Sequence, residues 1–238
     1  MYKEKDEMFE NLILVLNIIL LLLNFAITTL LIIMLIQLLN ARINEKTNQY
    51  HDFNQIAKKN GTVFIGDSLT EFFQVHEYFH NLHIYNRGIA SDTTAGVLKR
   101  LESNVISLMP QKIFLQIGTN DFNKRHAITY ITNNIKHIIS KIKMSLPDSK
   151  IYLISLYPIN PKIKFFGRFI IFPRNNKKIN RVNELLKEYS EKNGITYIDL
   201  NNKLKDKKGN LRSKYTLDGL HITHQGYQLI TEVLKKYL

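Results

Sequence analysis

From Asn11 to Ala41 the chain runs for 31 residues without a charged side chain, dominated by Leu and Ile. About 20 such residues cross a bilayer as a helix, the form in which a single segment satisfies its own backbone polar groups. A cleaved secretion signal has an apolar stretch of about 7–15 residues with small residues at the cut. Here the stretch is roughly twice as long, and Leu39-Asn40-Ala41 is a poor cleavage site. The run therefore reads as an uncleaved transmembrane anchor over 11–41, behind an N-terminal tail over 1–10. Asn17, Asn24 and Thr28 fall near one face of this helix. Pairing with a second helix through such groups contributes only about 0.6 kcal/mol on average, so simple tolerance is the better reading.

The formal net charge is +13. Residues 1–41 hold two basic and four acidic side chains, which leaves 31 basic and 16 acidic, a net of +15, for the remainder. A solvated basic surface accounts for this, and so does a domain lying against anionic lipid or an anionic wall polymer. Nucleic acid is not expected as a partner, because no basic motif interleaved with aromatics is present. The absence of cysteine excludes disulfides, thiol catalysis and cysteine metal sites. Arg42, Lys46, Lys58 and Lys59 outnumber Lys3 and Lys5 around the run, which weakly favours a cytoplasmic C-terminal part. Long domains translocate largely regardless of such charges. By analogy with tethered proteins that act on envelope material, the expected location of the domain is extracytoplasmic.

After a polar juxtamembrane linker over 42–60, strand-length apolar runs alternate with helical stripes. The runs are Thr62–Ile65, His83–Tyr85, Lys112–Ile117, Lys150–Leu156 and Ile195–Ile198. Between them, sets such as Ile128, Ile131, Ile135, Ile138, Ile139 and Ile142 recur at helical spacing. Such alternation predicts an α/β domain over 61–238, a five-stranded mostly parallel sheet between two helical layers. Ligands in such sheets bind beyond the carboxyl ends of the strands. Ser68, Gly88 and Asn120 fall after the first, second and third strands.

Four short motifs follow one another: Gly66-Asp67-Ser68-Leu69, Asn86-Arg87-Gly88-Ile89, Gly118-Thr119-Asn120-Asp121 and Asp218-Gly219-Leu220-His221. Each alone is an ordinary turn or surface pair. Together, in this order, they resemble the SGNH (GDSL-type) serine hydrolases, over essentially all of residues 61–238. The stretch Asn86–Leu101 is most similar to the branch of platelet-activating-factor acetylhydrolase subunits and related bacterial esterases. The resemblance implies a three-layer αβα, flavodoxin-like sandwich and a carboxylic ester hydrolase that needs no cofactor or metal. It implies Ser68 as nucleophile, His221 as base and Asp218 as its orienter. The oxyanion hole falls to the Ser68 and Gly88 backbone N–H groups and the Asn120 side chain. Asp67 and Asp121 read as structural.

The implied substrate is an acetyl or short acyl ester of a carbohydrate or lipid. An O-acyltransferase would use the same site, and a non-catalytic glycan- or lipid-binding module would use the same cleft. The sequence departs from the family at Ala90 and Ser91, where relatives often have glycine; narrower space there implies altered acyl or alcohol preference.

Two histidine clusters have metal-like spacing, His76/His80 and Asp218/His221/His224. Surface or packing roles are the simpler reading, since no third ligand joins the first and serine chemistry accounts for most of the second. The segment Pro158–Pro173 follows the fourth strand and carries Phe165, Phe166 and Phe169 among Lys and Arg. It reads equally as a substrate-binding lid and as a loop that plugs its own core.

Overall fold

A computed structural model describes residues 2–80, 82–163 and 166–238, with the side chains of residues 2–5 and Phe166 excepted. The chain forms two compact units, Met1–Glu45 and Lys46–Leu238. Helix α1 (Tyr2–Ile56) contains the apolar run. By length and composition it is able to cross a membrane. Its Leu and Ile side chains are exposed along the whole run, and apolar surface on that scale marks a membrane or interaction face. Asn24 Nδ2 donates to the Leu20 carbonyl and Thr28 Oγ1 to the Asn24 carbonyl, at 2.9 and 2.6 Å. Both are local contacts that Asn and Thr side chains make to the preceding turn of their own helix.

The stretch 42–60 is not all linker. It is helical as far as Ile56, and from Lys46 it belongs to the globular unit. Tyr50 is buried and donates from its hydroxyl to the Gly88 carbonyl at 3.0 Å. Asn54 is fully buried, and its Oδ1 accepts from Nε and Nη2 of Arg87 at 3.1 and 2.6 Å. The Arg87 guanidinium also stacks on the Tyr50 ring, 4.8 Å from its centroid. These partners explain why the second strand runs on past Asn86. A buried arginine within a strand needs acceptors, and the helix supplies them.

The sheet is wholly parallel, in the order β2-β1-β3-β4-β5. Its strands are β1 (Thr62–Gly66), β2 (Ile84–Gly88), β3 (Lys112–Gln116), β4 (Lys150–Ile154) and β5 (Thr196–Ile198). All five expected strands are present, with ends shifted by a few residues. Alternation along β1 divides the core: Val63 and Ile65 face one layer, Phe64 the other. The first layer packs α4 (Thr94–Asn104), α5 (Ile128–Ser145) and α7 (Asn176–Lys192) through Leu101, Ile135, Ile139 and Val182. The second packs the short helices α3 (Val75–Tyr78) and α8 (Asn201–Leu204) through Val75 and Leu204, and α9 (His224–Leu234) through Tyr227, Ile230 and Leu234, in one cluster with Phe64 and Phe114. Phe64, Phe114 and Tyr152 stack across three strands with centroids 4.6 Å apart.

β1 pairs with β2 on one side and β3 on the other, so the chain reverses its direction of travel across the sheet at β1. Loops leaving β1 and β3 separate at that point and open a crevice at the carboxyl edge.

Candidate active site

Ser68 opens the short helix α2 (Ser68–Glu71), capped by Asp67, whose Oδ1 accepts from the Leu69 N–H. A serine in the first helical turn has a backbone N–H with no intrahelical acceptor. The Ser68 hydroxyl points across the crevice to His221, with Oγ 3.0 Å from Nε2. On the far side of the ring, Nδ1 lies 2.5 Å from Asp218 Oδ2. The other carboxylate oxygen, Oδ1, accepts the N–H groups of Leu220 and His221 at 2.9 and 2.8 Å.

Burial raises the Asp218 pKa, but the hydrogen bonds from the His221 ring and from the two N–H groups outweigh it. The carboxyl is held well below the usual carboxylate range and stays ionised at neutral pH. An ionised carboxylate only accepts, so the proton between the two groups sits on Nδ1. In the neutral form of the ring, Nε2 presents its lone pair to Ser68. A hydroxyl facing a neutral imidazole that a carboxylate orients is the arrangement that activates serine as a nucleophile.

Ser68 and His221 share a cavity of about 310 Å³ with Phe72, Ala90, Ser91, Asn120, Phe169 and Arg174. A hollow of about 510 Å³ beside Lys150 and Thr196 lies at the opposite end of the sheet and contains no hydroxyl–imidazole pair.

Asn120 stands at the cavity wall after β3. Its Nδ2 donates to the Asp92 carbonyl at 2.9 Å, and its Oδ1 accepts from Arg174 Nη2 at 2.8 Å. One Nδ2 hydrogen remains for a ligand.

Gly88 does not fill the place expected for it. Its N–H donates to Asn86 Oδ1 at 2.9 Å, and it is absent from the cavity wall. Its lack of a side chain serves packing instead, since a Cβ there would meet the Glu71 backbone nitrogen at 2.2 Å. Three residues on, Ser91 does line the cavity, and among the described residues its N–H has no acceptor. Its φ is +68°, the left-handed region that favours glycine. The signal for this residue was its departure from the family, where relatives often carry glycine. Turns hold it from both sides: Ala90 N–H donates to Glu71 Oε2 at 2.5 Å, and Asp92 N–H to the Ile89 carbonyl at 3.1 Å. Asp92 is itself clamped by Arg100 at 2.7 Å in a buried ion pair.

The remaining expected residues separate clearly. Asp121 accepts from Thr94 N–H and Oγ1 and fastens the β3 loop to α4. His224 opens α9 and pairs through Nδ1 with the Tyr78 hydroxyl at 2.6 Å. Among the described residues no three His, Asp or Glu side chains gather as metal ligands. Phe169 lies in α6 (Phe166–Ile171) and lines the cavity. Phe166 belongs to the same helix, and Phe165 lies outside the described residues.

Known proteins resemble this chain in structure or in sequence. A Streptococcus pneumonia structure provisionally described as a platelet activating factor is 30% identical. It superposes with a TM-score of 0.83 and covers 88% of this chain and 98% of that one. Human platelet-activating factor acetylhydrolase IB subunit alpha2 is 28% identical over 187 residues, 76% of this chain and 77% of its own. An Escherichia coli N-acylneuraminate cytidylyltransferase is 31% identical over 211 residues, 84% of this chain; the match spans only 45% of that relative's length. The GDSL-like Lipase/Acylhydrolase family model matches residues 64–229, from β1 into α9. With a parallel five-stranded sheet carrying Gly-Asp-Ser-Leu at the end of its β1 strand, this chain belongs to the GDSL-like lipase/acylhydrolase family and is an ester hydrolase.

Proposed function

We propose that the chain is a membrane-anchored serine esterase that removes acetyl or short acyl groups from a carbohydrate or lipid alcohol. The observation that carries this reading is the relay from Asp218 through His221 to Ser68 in one cavity with unsatisfied donors. Ser68 Oγ attacks the ester carbonyl while His221 Nε2 takes its proton. The oxyanion is received by the Ser68 and Ser91 N–H groups and the spare Nδ2 hydrogen of Asn120. His221 returns the proton to the leaving alcohol, and water then repeats the attack on the acyl-serine. Asp218 keeps the imidazole in the productive tautomer and stabilises the imidazolium.

A cavity of about 310 Å³ suits a small acyl group with part of its alcohol. The acetyl ester in the name of the human relative supports a short acyl chain, and the neuraminate in the name of the bacterial one supports a sugar alcohol. The full chain in detergent is expected to hydrolyse p-nitrophenyl acetate faster than the decanoate. A reversed order would contradict the short-acyl assignment.

Phe169 lines the cavity and is largely exposed, and Phe172, three residues on, is exposed as well. Exposed aromatics beside a basic segment suit contact with a lipid interface. Replacing Phe169 and Phe172 by Ser is expected to lower activity on micellar esters several-fold while sparing soluble acetate esters. Equal losses on both would contradict interfacial contact.

The exposed apolar face of α1 supports anchoring through residues 11–41, with an anionic membrane or wall surface as a further contact of the basic domain. We place the domain on the extracytoplasmic side. A fusion after Lys46 to a phosphatase that is active only outside the cytoplasm is expected to be active. A silent phosphatase with a fluorescent cytoplasmic reporter would reverse the orientation.

A further inference from the structure

Arg174 stands outside the four motifs, yet it lines the catalytic cavity and the residue is only 5% exposed. A buried cation is costly unless it is paired and hydrogen-bonded. Among the described residues no carboxylate lies within ion-pair distance of it. Its donors are spent on neutral acceptors. Nε donates to the Thr119 carbonyl at 2.9 Å and more weakly to Thr119 Oγ1 at 3.2 Å. Nη1 donates to the Ile170 carbonyl at 2.6 Å, and Nη2 to Asn120 Oδ1 at 2.8 Å.

The last contact decides which way the Asn120 amide faces. An amide side chain has one acceptor oxygen and two N–H donors. The guanidinium holds the oxygen, and the Asp92 carbonyl holds one N–H. Turned over, the amide would set NH₂ against the guanidinium and oxygen against the Asp92 carbonyl, two like-against-like contacts in a buried site. Only the observed orientation leaves an N–H for the cavity.

We infer that Arg174 is a positioning residue for ester hydrolysis: its guanidinium locks the Asn120 amide with its donor facing the oxyanion. Through the Ile170 carbonyl it also ties that orientation to the seating of α6, the element carrying Phe169. The inference rests on the proposed role of Asn120 as an oxyanion donor.

The test is a double-mutant cycle on the full chain in detergent, with p-nitrophenyl acetate as substrate and active sites counted by fluorophosphonate labelling. Asn120→Ala is expected to lower kcat about 10²–10³-fold, as loss of one oxyanion donor does. Arg174→Lys, which keeps charge without the fork, and Arg174→Gln, which is neutral, are each expected to lower kcat at least roughly tenfold, leaving KM within about twofold. In the Asn120→Ala background the same changes are expected to alter kcat by less than about twofold, because the group they position is gone.

Equal losses in both backgrounds would overturn the inference. So would a lower melting temperature with kcat per active site unchanged, which marks a merely structural arginine. If one Arg174 variant fails to fold, the other carries the cycle. Wild-type kcat in Asn120→Ala would instead refute the oxyanion role of Asn120, a separate failure read from a separate variant.

Discussion

Replacing Ser68 by Ala is expected to lower kcat on p-nitrophenyl acetate by about 10⁴–10⁶-fold, the range in which nucleophile, base and orienter act as one unit. The Ser68 hydroxyl contacts His221 Nε2 at 3.0 Å, and no other partner is recorded for it among the described residues. Its loss removes the attacking atom and little else, so the melting temperature should move by only a few degrees. His221→Ala should fall in the same range. The double variant should be no slower than either single one, because a base without a nucleophile has nothing to activate. Residual catalysis would come from the oxyanion donors and substrate binding. Ser68→Ala activity within tenfold of wild type, or losses that multiply in the double variant, would place the chemistry elsewhere.

The second large effect falls on stability and its pH dependence. Asp67, the residue before Ser68, is fully buried. Burial pushes its carboxyl up to about 7 from 3.8, against opposing help from the Leu69 N–H and the Arg174 guanidinium. Only its Oδ1 has a hydrogen-bond partner among the described residues. Between these two pH values the folded chain keeps a proton that the unfolded chain has released. Folding stability from this group is therefore full below about pH 4, falls as the pH rises towards 7, and is level above. At 1.36 kcal/mol per pH unit the loss amounts to about 4 kcal/mol.

Asp67→Asn keeps the acceptor for the Leu69 N–H and cannot ionise. Compared with wild type, the variant should gain about 2–4 kcal/mol in relative stability between pH 4 and pH 8, read from denaturant midpoints at the two pH values. The comparison across pH cancels whatever fixed cost the amide incurs at either one. Parallel stability curves for the two proteins would show that Asp67 is ionised in the fold or titrates normally.

What could be read from the chain alone was whatever is local or periodic. Apolar runs of strand length and isoleucines at helical spacing in α5 carry their structure in their own order. Ser68 and Asn120 could be singled out because strand ends in a parallel sheet converge on one edge, and His221 only through the resemblance carried by Asp218-Gly219-Leu220-His221. The topology then brings Ser68 within hydrogen-bond distance of a histidine 153 residues away.

Other parts depend on partners that no spacing announces. Tyr50 and Asn54 look like linker residues, yet they brace Gly88 and Arg87, more than thirty positions on. Arg174 looks like a surface charge and is buried against Asn120, 54 residues earlier. Gly88 misled because glycine serves close packing and ligand approach equally well, and here the neighbour is α2. Ser91 was visible only as a missing glycine, since its left-handed φ is a property of the folded turn.

The central claim is that Ser68 is the nucleophile, and covalent capture tests it without reference to any natural substrate. A fluorophosphonate reacts with a serine activated by an adjacent base and leaves a stable adduct that peptide mass spectrometry can place. Full-length chain in detergent is expected to take up one adduct, on the peptide containing Ser68, and to lose esterase activity in proportion to labelling. An adduct on Ser91 or another serine, or complete labelling with hydrolysis intact, would contradict the account.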